Sequence, residues 1–190
     1  MNKLSIRTIC FVGMFTAITS VLSILQIPTP WGVPFTLQTF AMALAGYVLG
    51  KVYGTASSAL YVLIGLIGVP VYAGMSAGPG VLAGATGGYL WGFIIMTFLC
   101  GIAAEQKNDT KGNILKVVIS LLGLTACHIP GIIQLKFVAG MTFGQAALVG
   151  SVPYLAKDII SMIIAYVIAV AVTKALRSAN IMDWNNTAHA

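Results

Sequence analysis

Val152-Pro-Tyr-Leu-Ala-Lys157-Asp158-Ile-Ile-Ser161-Met-Ile-Ile-Ala-Tyr-Val-Ile-Ala-Val-Ala-Val-Thr173 decides the fold class. About 20 apolar residues at 1.5 Å per residue cross the roughly 30 Å hydrocarbon layer of a bilayer. Only Lys157 and Asp158, adjacent and opposite in charge, break an apolar run that is otherwise uncharged from Phe137 to Thr173. An ionisable residue inside such a segment costs about 2.5 to 3.5 kcal/mol and is usually retained for function. Ser151 suits an N-cap and Pro153 a first helical turn, where its missing N–H is harmless. Asp158 then lies roughly 10 Å inside the helix, near the outer boundary. Consecutive helical residues point about 100° apart, so Lys157 and Asp158 suit different ends of one ligand. A carboxylate accepts N–H donors, whereas an ammonium meets an anion or a carbonyl. Two plainer readings stand beside this one: a structural ion pair, and a Lys157 that snorkels outward.

The whole chain agrees with its last apolar stretch. Of 190 residues, 58% are hydrophobic and 7% charged, with a mean hydropathy of +0.96, against roughly 25% charged residues in soluble domains. The length accommodates six spans in one domain covering residues 1–190, an all-α integral membrane bundle. Apolar length between breakers predicts helices at about 6–26, 36–50, 54–69, 86–104, 113–139 and 152–177. The second and third are short and meet at Gly50-Lys51, which suits either a tilted hairpin or a partly re-entrant pair. Lys3 and Arg7 precede a stretch too long for a secretion signal and lacking a small-residue cleavage site, which reads as a mature first helix.

Charge sorts by side. Lys3, Arg7, Lys51, Glu105, Lys107, Asp109, Lys111, Lys116, Lys174, Arg177 and Asp183 all fall on one face, which the positive-inside rule makes cytoplasmic together with both termini. The net charge of +6 is thus an orientation signal toward the lipid bilayer, and nucleic acid is excluded as a partner. The opposite loops, about 27–35, 70–85 and 140–151, carry no charge and are rich in Gly, Pro and aromatics. Such loops suit a partly apolar ligand taken from outside. Lys136 is the exception, and its long stem reaches the headgroups.

Further candidates surround the pair. Pro28 to Gln38 is too proline-rich for helix, and Trp31 and Phe35 give it apolar mass; a lid and an interfacial loop fit equally. Gln38 offers an uncharged donor and acceptor. Gly84-Ala-Thr86-Gly-Gly88-Tyr89-Leu-Trp-Gly92 carries GxxxG spacing that suits helix packing or close approach to a ligand. Tyr89 and Trp91 also fit an interfacial belt. Gly13 and Ala17, like Ala41 and Ala45, form small-xxx-small faces for internal packing or a partner subunit. His128 beside Pro130 reads as a packing histidine, with no second histidine nearby to make a metal site. Cys10, Cys100 and Cys127 lack metal or redox spacing. HExxH is absent, and Gly46-Tyr-Val-Leu-Gly50-Lys51 falls one residue short of a P-loop and ends a helix, so any ATP hydrolysis lies in another chain.

Four motifs in order, Val33-Pro-Phe35-Thr-Leu-Gln38-Thr-Phe40, Gly68-Val-Pro-Val-Tyr-Ala-Gly74, Thr86-Gly-Gly88-Tyr89-Leu-Trp-Gly-Phe93 and Pro153-Tyr-Leu155 followed by Asp158, resemble the BioY family. These are the substrate-binding S components of energy-coupling factor (ECF) vitamin transporters. The resemblance covers residues 10 to 175. It implies a six-helix S-component bundle in the plasma membrane that captures biotin at the outer face, without a cofactor or catalytic residues. It also implies a transmembrane T subunit and two ATPase subunits as partners. By the same resemblance residues 27–38 close over the ligand, Asp158 binds it, and Gly13 and Ala17 contact the T subunit. The expected substrate-binding set is Asp158, Lys157, Gln38, Trp31, Phe35, Thr86, Gly88, Tyr89 and Ser161. One departure concerns Ser161, where the family usually has a lysine; here the cation is Lys157, just before the aspartate. A solitary biotin transporter is the first alternative. The second is a membrane enzyme using Asp158 and His128 as acid and base, against which their expected depths in the membrane count.

Overall fold

The computed structural model describes residues 5–30 and 33–181. Helix α1 (Ile6–Ile24) leads through a two-stranded antiparallel ribbon, β1 (Gln26–Ile27) and β2 (Phe35–Thr36), into α2 (Gln38–Leu66). A 3-10 turn (Ala73–Met75) and the short α3 (Pro79–Ala83) precede α4 (Gly87–Ala104), α5 (Thr110–Ala139), α6 (Phe143–Gly150) and α7 (Val152–Ser178). Of these, α1, α2, α4, α5 and α7 are long and apolar enough to cross a membrane. The described chain is a helical bundle whose only sheet is the ribbon at residues 26–36.

Polarity is arranged inside out. In α1 the buried residues are Thr8, Phe15, Thr16, Thr19 and Ser23, while Ile6, Ile9 and Val21 are exposed. Water would oppose that arrangement, whereas lipid tails leave helices to associate through packing and hydrogen bonds. Thr16 accordingly meets Ser57 across the α1–α2 contact, Oγ1 to Oγ at 3.1 Å.

Helix α2 is not one rod. Gly50 has φ 76° and ψ 179°, a backbone conformation that glycine adopts without a Cβ penalty. Beyond it the chain turns back on itself, because Gln38 Nε2 donates to Tyr61 Oη at 2.8 Å. A straight helix would separate those residues by roughly 35 Å. Gly54 then packs so closely that a Cβ there would stand 2.9 Å from Gly46 Cα. The two stretches expected at 36–50 and 54–69 are therefore the arms of a tight hairpin. Its first arm is central, with every residue from 41 to 50 buried. Ala41 and Ala45, at 1% and 0% exposure, serve internal packing.

Several expected boundaries shift for local reasons. The first helix stops at Ile24 instead of 26, because Gln26 pairs with Thr36 and Ile27 with Phe35. That pairing also delays the second helix from 36 to Gln38. The third stretch ends at Leu66 and not 69, because Gly68 at φ 107° takes the chain out of helix. The fifth begins at Thr110 rather than 113, where the Asp109 carboxylate accepts Gly112 N–H at 2.6 Å as N-cap. The loops read at 70–85 and 140–151 each hold a short helix. Pro79 opens α3, and a reciprocal Thr142–Gln145 capping box opens α6.

Glycines set the spacing of α4 and α5. A Cβ on Gly92 would lie 2.6 Å from Cys127 Cα, and one on Gly88 would strike the Pro130 carbonyl. Charges gather at the end of the bundle opposite the ribbon: Lys51 Nζ meets Glu105 Oε2 at 2.9 Å, and the Arg7 guanidinium donates to Asn180 O at 3.3 Å.

Candidate functional site

Beneath the ribbon lies a cavity of about 250 Å³, walled by α2, α4, α5, α7 and the loops above them. That volume suits a small molecule and no peptide. Asp158, 4% exposed, reaches it from α7. Its Oδ2 stands 3.3 Å from His128 Nε2 of α5, and Lys157 Nζ lies 2.6 Å from Oδ1. The latter is a close ionic contact with an oxygen that is itself buried. Lys157 also donates to the Thr36 carbonyl at 3.0 Å, tying α7 to β2.

His128 is held from both sides. Its Nδ1 meets Ser151 Oγ at 2.8 Å, and Tyr89 stands edge-on to its ring at 5.9 Å between centroids. With hydrogen on Nε2 the ring donates toward the carboxylate, while Nδ1 shares a hydrogen bond with Ser151. The different depths expected for His128 and Asp158 are corrected here. Helix α5 continues about 16 Å beyond His128 to Ala139. The Gly140 turn and α6 then bring the chain back, so α7 starts level with His128.

Apolar and neutral polar groups complete the wall. Thr86, Tyr89, Leu90 and Phe93 contribute from the start of α4, with Tyr72 and Gln26 above. Tyr89 Oη donates to Gly150 O at 2.6 Å. Burial pushes the Tyr72 phenol up to about 12, so it stays neutral and donates to Val62 O at 2.6 Å. Gln38 lines the cavity with its amide already engaged, its Nε2 by Tyr61 and its Oε1 by Thr36 Oγ1 at 3.0 Å. Tyr154 closes the mouth: its hydroxyl donates to the Val33 carbonyl, and its ring packs on Phe35 at 4.4 Å.

Of the residues singled out in the sequence, Asp158, Lys157, Gln38, Thr86 and Tyr89 come together around the cavity. Phe35 sits one layer out, behind Tyr154. Gly88 faces α5, and Ser161 is buried deeper along α7, away from the cavity lining. Trp31 lies outside the described residues. Lining residues outside the expected substrate-binding set include His128, which was read as a packing histidine, and Tyr154, Tyr72 and Gln26. His128 carried the same signal as Asp158, a lone ionisable group in an apolar span. Among the described residues no three His, Cys, Asp or Glu cluster as metal ligands.

The sequence model of the BioY family matches residues 1–178. The chain belongs to the BioY family. It is 40% identical to the biotin transporter BioY of Thermotoga maritima, over 88% of this chain and 96% of that one. It is 36% identical to a probable biotin transporter BioY of Pyrococcus horikoshii, over 86% and 94% respectively. The fold superposes, with a TM-score of 0.79 and 28% identity, on a crystal structure of the S-component for biotin from an ECF-type ABC transporter, covering 92% of this chain and 94% of that one. Its several long apolar helices make this BioY-family chain a multi-pass membrane protein.

Proposed function

We infer that the chain is the biotin-binding S component of an ECF-type vitamin transporter, a transport subunit and not an enzyme, with biotin as cargo and no cofactor. The carrying observation is the buried Asp158 carboxylate in the lining of a small cavity, with a single lysine beside it. Biotin presents two ureido N–H donors, an apolar bicycle and an anionic tail. The N–H groups meet Asp158, the bicycle lies against Tyr89, Leu90 and Phe93, and the tail turns toward Lys157. Lys157 thereby takes the place of the cation the family usually carries where this chain has Ser161. His128 is a positioning residue that holds Oδ2 so that Oδ1 faces the ligand.

The residues 27–38 form the lid, supported by the Tyr154–Val33 and Lys157–Thr36 ties. The hairpin at Gly50 and the charges gathered at the end opposite the cavity support six spans in one domain with both termini cytoplasmic. Gly13 and Ala17 are both exposed, and Gly13 has open space before it, which supports their role as the T-subunit contact. The T subunit and two ATPase subunits supply the energy, since the chain carries no P-loop. Equilibrium binding of biotin to the purified chain, with thiamine and riboflavin as controls, tests the reading. Equal affinity for all three, or none for biotin, overturns it.

A further inference from the structure

At the end of the bundle opposite the biotin cavity lies a second cavity, of about 340 Å³, between the ends of α2, α4, α5 and α7. Three cations line it: Lys116, Lys174 and Arg177. Lys116 is only 7% exposed, and its ammonium meets neutral oxygens alone, Oδ1 of Asn108 and Oδ1 of Asn113, the latter at 3.3 Å. A buried charge without a counter-charge is costly. The chain has four carboxylates, and the three described ones are committed elsewhere. Glu105 pairs with Lys51, Asp109 caps α5, and Asp158 lies in the other cavity. Among the described residues no carboxylate lies within ion-pairing distance of Lys116, Lys174 or Arg177. Among the described residues the cavity thus gathers cations without an anion to meet them.

Helix α7 indicates which anion. Ile163, Val167 and Val170 are 58%, 62% and 52% exposed and recur every three to four residues, so they share one helical stripe. The stripe continues into Lys174 and Arg177, and Val170 itself lines the cavity. An apolar track that leads into a cationic pocket matches an acyl chain joined to a phosphate. Phosphate is the shared chemistry of a lipid headgroup and of free phosphate, and the apolar track favours the lipid. We propose that this cavity binds the phosphate of an anionic phospholipid, whose acyl chain lies along the outer face of α7. The proposal is independent of the biotin reading; the topology proposed above enters only in assigning the lipid to the cytoplasmic leaflet.

Native mass spectrometry of the full chain in detergent, titrated with phosphatidylglycerol or phosphatidylcholine, tests it. One phosphatidylglycerol should bind well ahead of phosphatidylcholine. K174Q/R177Q, which alters exposed side chains, should lower that affinity about 25-fold, at about fivefold for each cation near an anionic surface, while biotin binding stays unchanged. K116Q should lower the preference for phosphatidylglycerol about fivefold. Equal binding of the two lipids by the unaltered chain, or a preference that K174Q/R177Q leaves unchanged, overturns the proposal. Displacement of phosphatidylglycerol by millimolar inorganic phosphate would assign the cavity to a soluble anion and overturn the lipid assignment.

Discussion

Asp158 concentrates the chemistry of the outer site in one side chain, and substitution there separates charge from shape. Asn keeps the size but loses the ionised acceptor, so D158N should weaken biotin binding at least about tenfold, as expected when a hydrogen bond to a charged group is lost. Equilibrium binding to purified, folded protein measures this, and unchanged affinity would remove Asp158 from the site. H128A leaves Asp158 Oδ2 without its partner at 3.3 Å. It should weaken binding about tenfold, with H128Q restoring part of the loss because Gln can still donate; equal defects in the two variants would deny His128 its positioning role. Asp158 was legible in the sequence, because a carboxylate in an apolar span has few bland explanations. His128 was not, because helical position along α5 gives depth only when the lengths of both helices and the path of α6 between them are known. Ser161 and Gly88 were drawn toward the site by motif likeness; Ser161 shares the buried face of α7 with Asp158 but lies most of a turn further along, beyond the cavity lining, and Gly88 packs on Pro130.

At the level of elements, glycines decide which helices meet and where they turn. The positive φ of Gly50 makes the α2 hairpin, and an L residue there is strained by about 1 to 3 kcal/mol. G50A should therefore lower the midpoint of thermal unfolding by about 2 to 12 °C, at about 2 to 4 °C per kcal/mol for a chain of this size; a midpoint unchanged in a scanning fluorescence assay would show that the turn is made otherwise. G92L should be harsher, since even a Cβ at that position comes within 2.6 Å of the Cys127 backbone. Loss of folded, biotin-binding protein is expected, read by size exclusion and ligand retention. The long helices were legible from apolar length alone. The short ones were not, because α3 has five residues and α6 eight, too few for periodicity to rise above the surrounding loop composition. The β1–β2 ribbon escaped for a similar reason: two residues a side carry no alternation to read.

Taken whole, the molecule has a cavity at each end of one inside-out bundle, the proposed vitamin site under the ribbon and a cationic cavity among the charges. If the exposed face of α1 meets a T subunit, large side chains at its small residues should interrupt uptake but not capture. G13L/A17L should retain biotin binding in detergent while vesicles containing the chain, the T subunit and the ATPases lose ATP-dependent uptake. Full uptake by that variant would move the contact elsewhere, and uptake by the chain alone would favour a solitary transporter. The bridge that Lys157 makes between β2 and α7 carries a final implication, which is one of valence. An ammonium owns three hydrogens, and one goes to the Thr36 carbonyl. In the proposed site the other two are what the tail of an arriving vitamin would share with Asp158, and an amide at the end of that tail, lacking the negative charge, would be the poorer claimant.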